Sequence, residues 1–243
     1  MKNLSILVPA FNEGPRIYGN IKKIEESMHN PEPDYELIVI DNNSMDNTFQ
    51  EAERAADQNG RVTVVRCLER GKGAALKVGI ENSSGNLVSF VDADLDLPPE
   101  QLILFKQYME KYDADIVVGS KRHPLSSVKR SLYRKIFSYF YFLLTRTMFD
   151  LPVKDTQVGL KLFKGEVLKE VLPRIVCKKY AFDLEVLVAS HHRGFRIVEA
   201  PVEIDPKRLK NRIKLSDIWH IFIDTCAIFY RLKILRYYDR ALE

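Results

Sequence analysis

The chain has 243 residues, 46% hydrophobic and 29% charged, a size that one hydrophobic core can serve, so a single domain is expected. Only 11 Gly and 11 Pro occur and no tract is compositionally biased, which excludes disordered, collagenous and low-complexity classes. Three widely spaced cysteines, Cys67, Cys177 and Cys226, contain no C-x-x-C pair, so neither a disulfide framework nor a zinc site is encoded and a reducing compartment is expected.

The first half alternates short apolar runs with helical patterns. LSILV (Leu4 to Val8) is too short for a signal peptide's apolar core and reads as a first strand. A helix with Ile17, Ile21, Ile24 and Met28 on one face follows, then ELIVI (Glu36 to Ile40), a helix from Asp46 to Gln58, and VTVV (Val62 to Val65). Next come a helix from Lys72 to Glu81, LVSFV (Leu87 to Val91), a helix from Pro99 to Lys111, and the run DIVVG. Apolar runs without alternation are what strands buried on both faces show, so the expected fold class is α/β, a mostly parallel sheet flanked by helices. The second half is less regular: GLKLF (Gly159 to Phe163), a helix from Gly165, a helix from Phe182 to Arg193, and a strand from Arg196 to Ile204. A break near Asp205 to Arg212 gives expected boundaries of 1–205 for the globular body and 206–243 for a basic, amphipathic C-terminal segment.

The net charge of +4 is unevenly placed. From Ile116 to Phe149 there is no acid, while Lys121, Arg122, Lys129, Arg130, Arg134, Lys135 and Arg146 are basic; Lys207, Arg208, Lys210, Arg212 and Lys214 form a second basic group. Outside these segments acids outnumber bases, so the basic segments suit an anionic partner. Each runs into an aromatic-rich amphipathic stretch, Lys129 to Phe149 and Ile213 to Tyr238. That composition fits helices lying in a bilayer interface and equally fits core helices packing on the domain. No run of about 18 apolar residues occurs, so membrane contact would be peripheral. Nucleic acid is not expected as a partner, because no recognised binding motif accompanies the basic residues.

In open α/β sheets the ligand site lies at the carboxyl ends of the strands, and polar clusters sit there: Asn12 and Glu13, then Asp41, Asn42 and Asn43, then Asp92, Asp94 and Asp96. Alternate carboxylates just past a buried strand can converge on a hard divalent cation, with Asp94 and Asp96 as the pair; Asp92, nearer the strand, can accept hydrogen bonds from a nucleotide or sugar. The same pattern suits a carboxylate-rich turn capping the helix that begins near Pro98, and D-x-D alone does not choose. His191 and His192 are adjacent near a helix end and point in different directions, so they read as surface or capping residues.

Taken together, VPAFNE (Val8 to Glu13), DNNSMDNT (Asp41 to Thr48), GKGAAL (Gly71 to Leu76) and DADLDLPPE from Asp92 resemble, in order, the motifs of family-2 glycosyltransferases with a GT-A fold. VGSKR (Val118 to Arg122), DTQVGLKLF (Asp155 to Phe163) and FDLEVL (Phe182 to Leu187) resemble the branch that transfers glucose or mannose to dolichyl phosphate. The resemblance implies a donor, UDP-glucose or GDP-mannose, with its base near Pro9, Ala10 and Asp41. Asn12, Glu13, Asn43 and Asp92 would line its site, and its diphosphate would lie on Mg2+ or Mn2+ held by Asp94 and Asp96, with Lys72 helping to neutralise it.

The implied acceptor is a polyprenyl or dolichyl phosphate held by Ser120, Arg122, Arg130 and Arg134. Asp155, Gln157 and Glu185 match motif positions near the sugar or acceptor. Asn42 stands where the family's D-D-G-S carries its second Asp, leaving Asp41 as the acidic contact. The expected location is the cytoplasmic face of a membrane, through the last amphipathic helix or a membrane-protein partner. Rival readings are transfer to a saccharide or protein hydroxyl, which needs Asp155 or Glu185 as general base, and a non-enzymatic membrane-surface or nucleic-acid-binding module.

Overall fold

Each short apolar run identified above becomes a strand of one sheet. The computed structural model describes residues 3–32, 34–126, 132–204 and 215–239, without the side chains of 132–137 and 215–218. The strands are β1 (Leu4–Ala10), β2 (Tyr35–Asp41), β3 (Val62–Arg66), β4 (Leu87–Phe90), β5 (Ile116–Ser120), β6 (Lys161–Lys164) and β7 (Ile197–Pro201). Their order is β3-β2-β1-β4-β6-β5-β7 in a seven-stranded sheet. β6 runs antiparallel to β4 and β5, whereas β1 to β4, and β5 to β7, pair in parallel. The carboxyl ends of β1, β2, β4 and β5 therefore share one edge with the amino end of β6.

The helices are α1 (Gly14–Met28), α2 (Thr48–Ala56), α3 (Lys72–Glu81), α4 (Gln101–Lys111), α5 (Leu132–Phe149), α6 (Gly165–Val171), α7 (Phe182–His192) and α8 (Leu215–Phe229). Two hydrophobic clusters form, one on each face of the sheet. Ile17, Ile21, Ile24 and Met28 of α1 bury against Ile6, Val8, Leu37 and Val39 on one side. Ala75, Leu76 and Ile80 of α3 join Leu7, Ile38, Ile40 and the strongly apolar α7 on the other. Gly79 lets α3 lie close to the sheet, since a Cβ there would come 2.8 Å from Ile40. Fully burying one such side chain contributes about 1.5–3 kcal/mol, so these clusters carry the fold.

Some element ends differ from the sequence reading for local reasons. α2 begins at Thr48 rather than Asp46, because the Asp46 carboxylate accepts the backbone N–H of Thr48 (3.0 Å) and of Gly14 (3.1 Å). β6 is shorter than expected at its start, and β7 at both ends. The expected boundary at 205/206, with the second basic group, lies outside the described residues, as does Arg130; Arg134 lies in α5 with its side chain outside them. Further along, the chain is not a separate unit: Ile228, Leu232 and Tyr238 are buried in the same cluster as β4 and α7.

Candidate active site

The β1 and β2 ends meet in register, Ala10 beside Asp41, and the loops that follow them are tied together. Glu13 N–H donates to Thr48 Oγ1 (2.8 Å), Asn12 N–H to Ser44 Oγ (3.0 Å), and Met45 N–H to Asn12 Oδ1 (2.9 Å). Asn12 and Asn43 both take left-handed backbone, φ 53° and 57°, a conformation asparagine tolerates better than most residues. Glu13 itself accepts from Arg16 Nη2 at 2.8 Å. Asp41, at the expected nucleotide end, is 4% exposed, and its Oδ1 is buried with no hydrogen-bond partner, a rare state for a buried acceptor. Asn42 clasps the next loop: its Nδ2 donates to Glu69 O (2.6 Å) and its Oδ1 accepts from Gly71 N–H (2.8 Å). An aspartate could make only the second of these bonds, which gives Asn42 a physical reason in this chain.

Beyond β4, Ala93, Leu95 and Leu97 turn into the body while Asp92, Asp94 and Asp96 remain partly exposed. This alternation leaves the three aspartates half-buried at the carboxyl end of β4, with one Asp96 oxygen turned inward. Asn20 of α1 donates to Ala93 O (2.8 Å), Leu95 N–H donates to Asp92 O (3.0 Å), and Leu95 takes φ 51°. The turn brings Asp96 N–H to 3.4 Å from Asp94 Oδ1. Two carboxylates across a tight turn are hard oxygen donors of the type a divalent cation takes. Among the described residues no cluster of three His, Cys, Asp or Glu side chains forms, so the remaining coordination positions would fall to ligand oxygens and water.

Lys72 opens α3 immediately after Gly71, whose φ of 136° only glycine adopts readily. Its Nζ lies 2.9 Å from Asp92 Oδ1 and 3.4 Å from Asp183 Oδ2. The other Asp183 oxygen is 2.6 Å from Lys161 Nζ, which also donates to Val158 O at 2.5 Å. Burial alone would lower the Lys72 pKa; the Asp183 and Asp92 charges outweigh it and raise it. Burial would raise the Asp92 pKa, and the Lys72 ammonium beside it lowers it instead. Lys161, 1% exposed, is lowered by burial, with Asp183 opposing and Lys72 adding. An alternating chain of charge thus runs from the sheet interior to the cleft. Lys161 and Asp183 were not among the expected site residues; the signal available was a lysine inside the apolar run GLKLF and an aspartate inside FDLEVL.

At the β5 end, Ser120 is fully buried, and its Oγ accepts from Arg122 N–H at 3.3 Å. Asp155 accepts from Lys121 N–H (3.3 Å) and Gln157 N–H (3.4 Å), and its own N–H donates to Glu199 Oε1 (3.2 Å). Asp155 therefore joins the β5 end to the segment entering β6. Arg122 Nη2 donates to Ser138 Oγ of α5 (2.9 Å), with its guanidinium 5.4 Å from the Phe142 ring centroid and 5.7 Å from that of Tyr139. Glu185 is not in the cleft. It is fully buried, and its oxygens accept from Val176 N–H, Cys177 N–H, Arg231 and the Tyr238 hydroxyl. A carboxylate so enclosed has no path to a substrate proton, which corrects its expected catalytic role.

The family described as glycosyl transferase family 2 matches residues 5–172. This chain belongs to that family. It is 34% identical over 226 residues to a dolichyl-phosphate beta-glucosyltransferase of Dictyostelium discoideum, covering 85% of this chain and 68% of that one. A Drosophila melanogaster protein of the same name is 29% identical over 224 residues, covering 85% and 69%. Among solved structures, glucosyl-3-phosphoglycerate synthase of Mycobacterium tuberculosis in complex with Mn2+, uridine diphosphate and phosphoglyceric acid aligns with a TM-score of 0.69 at 18% identity, over 94% of this chain and 78% of that one. The fold is thus the GT-A arrangement that the sequence motifs imply.

The glycosyltransferase carries an apolar surface beside Arg122. α5 and α8 pack together through Tyr141 and Thr225, whose hydroxyls are 3.3 Å apart, and through Phe149 against Phe229. α8 buries Thr225 and Ile228 inward and leaves Trp219, Phe222, Ile223 and Cys226 exposed at helical spacing. Tyr139, Phe140 and Leu143 of α5 are exposed as well. Among the described residues no helix is long and apolar enough to cross a membrane.

Proposed function

We propose that this glycosyltransferase moves a glucosyl group from UDP-glucose to dolichyl phosphate or another polyprenyl phosphate, with inversion, at a membrane surface. The observation that carries the reading is the position of Arg122. It stands at the β5 end of the sheet edge that also holds Asp92, Asp94 and Asp96, and its guanidinium reaches the aromatic side of α5. A polyprenyl phosphate has the two parts this junction asks for, a phosphate for Arg122 and an apolar tail for the exposed α5 and α8 residues. The names of the relatives supply the glucose and dolichyl phosphate, and the uridine diphosphate in the structural neighbour supports a uridine donor.

Asp94 and Asp96 would hold Mg2+ or Mn2+, which when bound supplies positive charge to the departing diphosphate. Asp41 Oδ1 is the acceptor offered to the donor's nucleoside. Asp92 and Lys72, fixed by each other, face the sugar diphosphate; Arg122 lies on the acceptor side, with Ser120 buried beneath it and accepting its backbone N–H. A phosphomonoester's second pKa is about 6, so the acceptor oxygen is largely ionised at neutral pH and needs no base. It attacks the anomeric carbon, a new C–O bond forms as the bond to the diphosphate breaks, and the nucleoside diphosphate leaves with the electron pair. Orientation and charge placement then account for most of the rate. The outcome is a β-linked lipid-phosphate sugar from an α-linked donor. Docking through α8 and α5 on the cytoplasmic face keeps the nucleotide sugar in water and the polyprenyl chain in lipid.

The test is transfer from a panel of labelled nucleotide sugars to polyprenyl phosphate in detergent with Mg2+ or Mn2+, counting organic-extractable product. Product from UDP-glucose supports the proposal. Product from GDP-mannose would replace the donor, and donor hydrolysis without lipid product would move the acceptor to a hydroxyl compound.

A further inference from the structure

Glu185 needs an explanation once it is removed from the chemistry. Its Oε2 accepts Val176 N–H at 2.8 Å and Cys177 N–H at 2.6 Å. Its Oε1 accepts from Arg231 Nη2 at 2.8 Å, Arg231 Nε at 3.1 Å and the Tyr238 hydroxyl at 2.6 Å. Arg231 lies in a π-helical turn, Tyr230–Ile234, directly after α8, and Tyr238 in the short 3-10 turn Tyr237–Asp239. Buried ion pairs are weak net stabilisers because desolvation opposes the attraction; their attested use is to fix one arrangement. Here the arrangement fixed is that of the C-terminal turns against the segment that starts at Val176.

That segment is the floor of the Gly71–Lys72 loop. Lys178 O accepts the backbone N–H of Ala74 at 3.1 Å, and it lies so close to Gly71 that a Cβ there would come within 2.1 Å of it. Lys178 Nζ pairs with Glu69 at 2.6 Å. Phe182 fills the space beside Gly73, where a Cβ would come 2.5 Å from its own Cβ, and Asp183 holds Lys72. Residues 178–183 thus underlie the loop 69–74 from Glu69 to Ala74, and they hang between Val176–Cys177 and Glu185, both ends of which the clamp holds.

We infer that Arg231 and Tyr238 are positioning residues for donor binding: through Glu185 they set the height of segment 176–183 beneath the Gly71–Lys72 loop. The C-terminal turns thereby belong to the donor site although they touch no donor atom. The inference rests on the reading of that loop as the place where a nucleoside diphosphate binds. It also gives the π-helical turn a purpose, because an extra residue in the turn rotates Arg231 relative to the preceding α8 register.

The experiment uses the full chain with uridine diphosphate and Mn2+ as probe in calorimetric titration, alongside hydrogen exchange at single amides. Tyr238→Phe removes only one hydroxyl and keeps the ring, so it preserves the packing. The expected result is a Kd for uridine diphosphate weakened about tenfold, the loss of one charge-assisted hydrogen bond carried to the loop. The donor KM rises with it and the acceptor KM does not. Exchange of the Ala74 amide accelerates while that of Leu7 in β1 is unchanged. Arg231→Lys falls between wild type and Tyr238→Phe, and the paired change Glu185→Gln with Arg231→Met, which leaves no buried charge unpaired, weakens binding at least as much as Tyr238→Phe. Unchanged titrations and unchanged Ala74 exchange in Tyr238→Phe overturn the inference, as does an acceleration equal at Ala74 and Leu7, which would be a global loss of stability. If wild type takes up no uridine diphosphate, the donor reading falls, and the Ala74 to Leu7 comparison still decides whether the clamp reaches the loop.

Discussion

Gly159 lies directly against the carboxylate of Asp92: a Cβ placed on it would stand 1.7 Å from Oδ2 and 2.2 Å from Cγ. On its other side the Asp92 carboxylate meets Lys72 at 2.9 Å. It is thus fixed between a backbone and an ammonium, the kind of restraint that holds a group in one orientation for a bound donor.

Gly159→Ala follows from this contact. The methyl group forces Asp92 aside and parts it from Lys72, while the protein stays folded because Asp92 is free to move toward the cleft. Misplacement of a site group by about 1 Å can cost about 100-fold in rate, and a fall of that order in kcat/KM is expected. Steady-state kinetics together with a thermal melt check it; a variant with near wild-type kcat/KM would show that Asp92 needs no fixed position.

Lys161 and Lys72 share Asp183 but lie at different depths, with side chains 1% and 21% exposed. Replacing Lys161 with Met breaks the shorter, fully buried pair and leaves Asp183 only its 3.4 Å contact with Lys72, so a loss approaching the about 3–5 kcal/mol of a broken buried pair is expected. Replacing Lys72 with Met leaves Asp183 paired with Lys161, so stability falls less while activity falls more. Denaturant titrations and kinetics on both variants test this crossing of effects. Equal stability losses would mean that the two lysines do one job.

The strands and most helices were legible because a buried strand has nowhere to hide its composition: LSILV, ELIVI and LVSFV can only be interior. The place of Asp92, Asp94 and Asp96 at the carboxyl end of β4 was legible from the buried run before them, but their pattern alone suited a capping turn as well as a cation site, and only the resemblance of the neighbouring motifs favoured the second. What stayed hidden were pairings across long separations. Lys161 and Asp183 each look like an isolated charge in an apolar run, and nothing in either run says that one neutralises the other or that Lys72 completes the chain. Glu185 misled because burial with the backbone of Val176 and Cys177 and with Arg231 depends on a C-terminal turn far away in sequence. Asn42, which looked like a lost aspartate, proves to need an amide because it must donate to Glu69 O.

Alkaline pH should loosen the clamp region. Burial pushes the Cys177 thiol from 9.0 up to about 12, with the nearby Glu185 charge adding and Arg231 opposing. Burial likewise pushes the Tyr141 hydroxyl from 10.0 to about 12. A group whose folded pKa is raised contributes stability below its unfolded pKa and loses it as pH climbs toward the folded value. The unfolded chain therefore sheds these protons first, and stability declines from about pH 9 toward pH 12. Melting temperatures between pH 8 and 11 should fall with a shallower slope in Cys177→Ala than in wild type. Identical slopes would mean that the thiol does not contribute.

The proposed membrane docking can be tested through the cysteines. Cys67 and Cys177 are buried, whereas Cys226 is exposed on the α8 face between Phe222, Ile223 and Tyr230. A polarity-sensitive maleimide dye should therefore label Cys226 at neutral pH, since a buried thiol is both inaccessible and poorly ionised. Vesicles containing anionic lipid should then shift the emission to the blue as α8 enters the interface. Burying a side chain such as Phe222 is worth about 1.5–3 kcal/mol, so the pair Trp219→Ala and Phe222→Ala should weaken vesicle binding at least about 100-fold. High salt should weaken it only partly, because the apolar contribution is not screened. Emission that stays at its aqueous wavelength with vesicles in excess at low salt would remove α8 from the membrane surface.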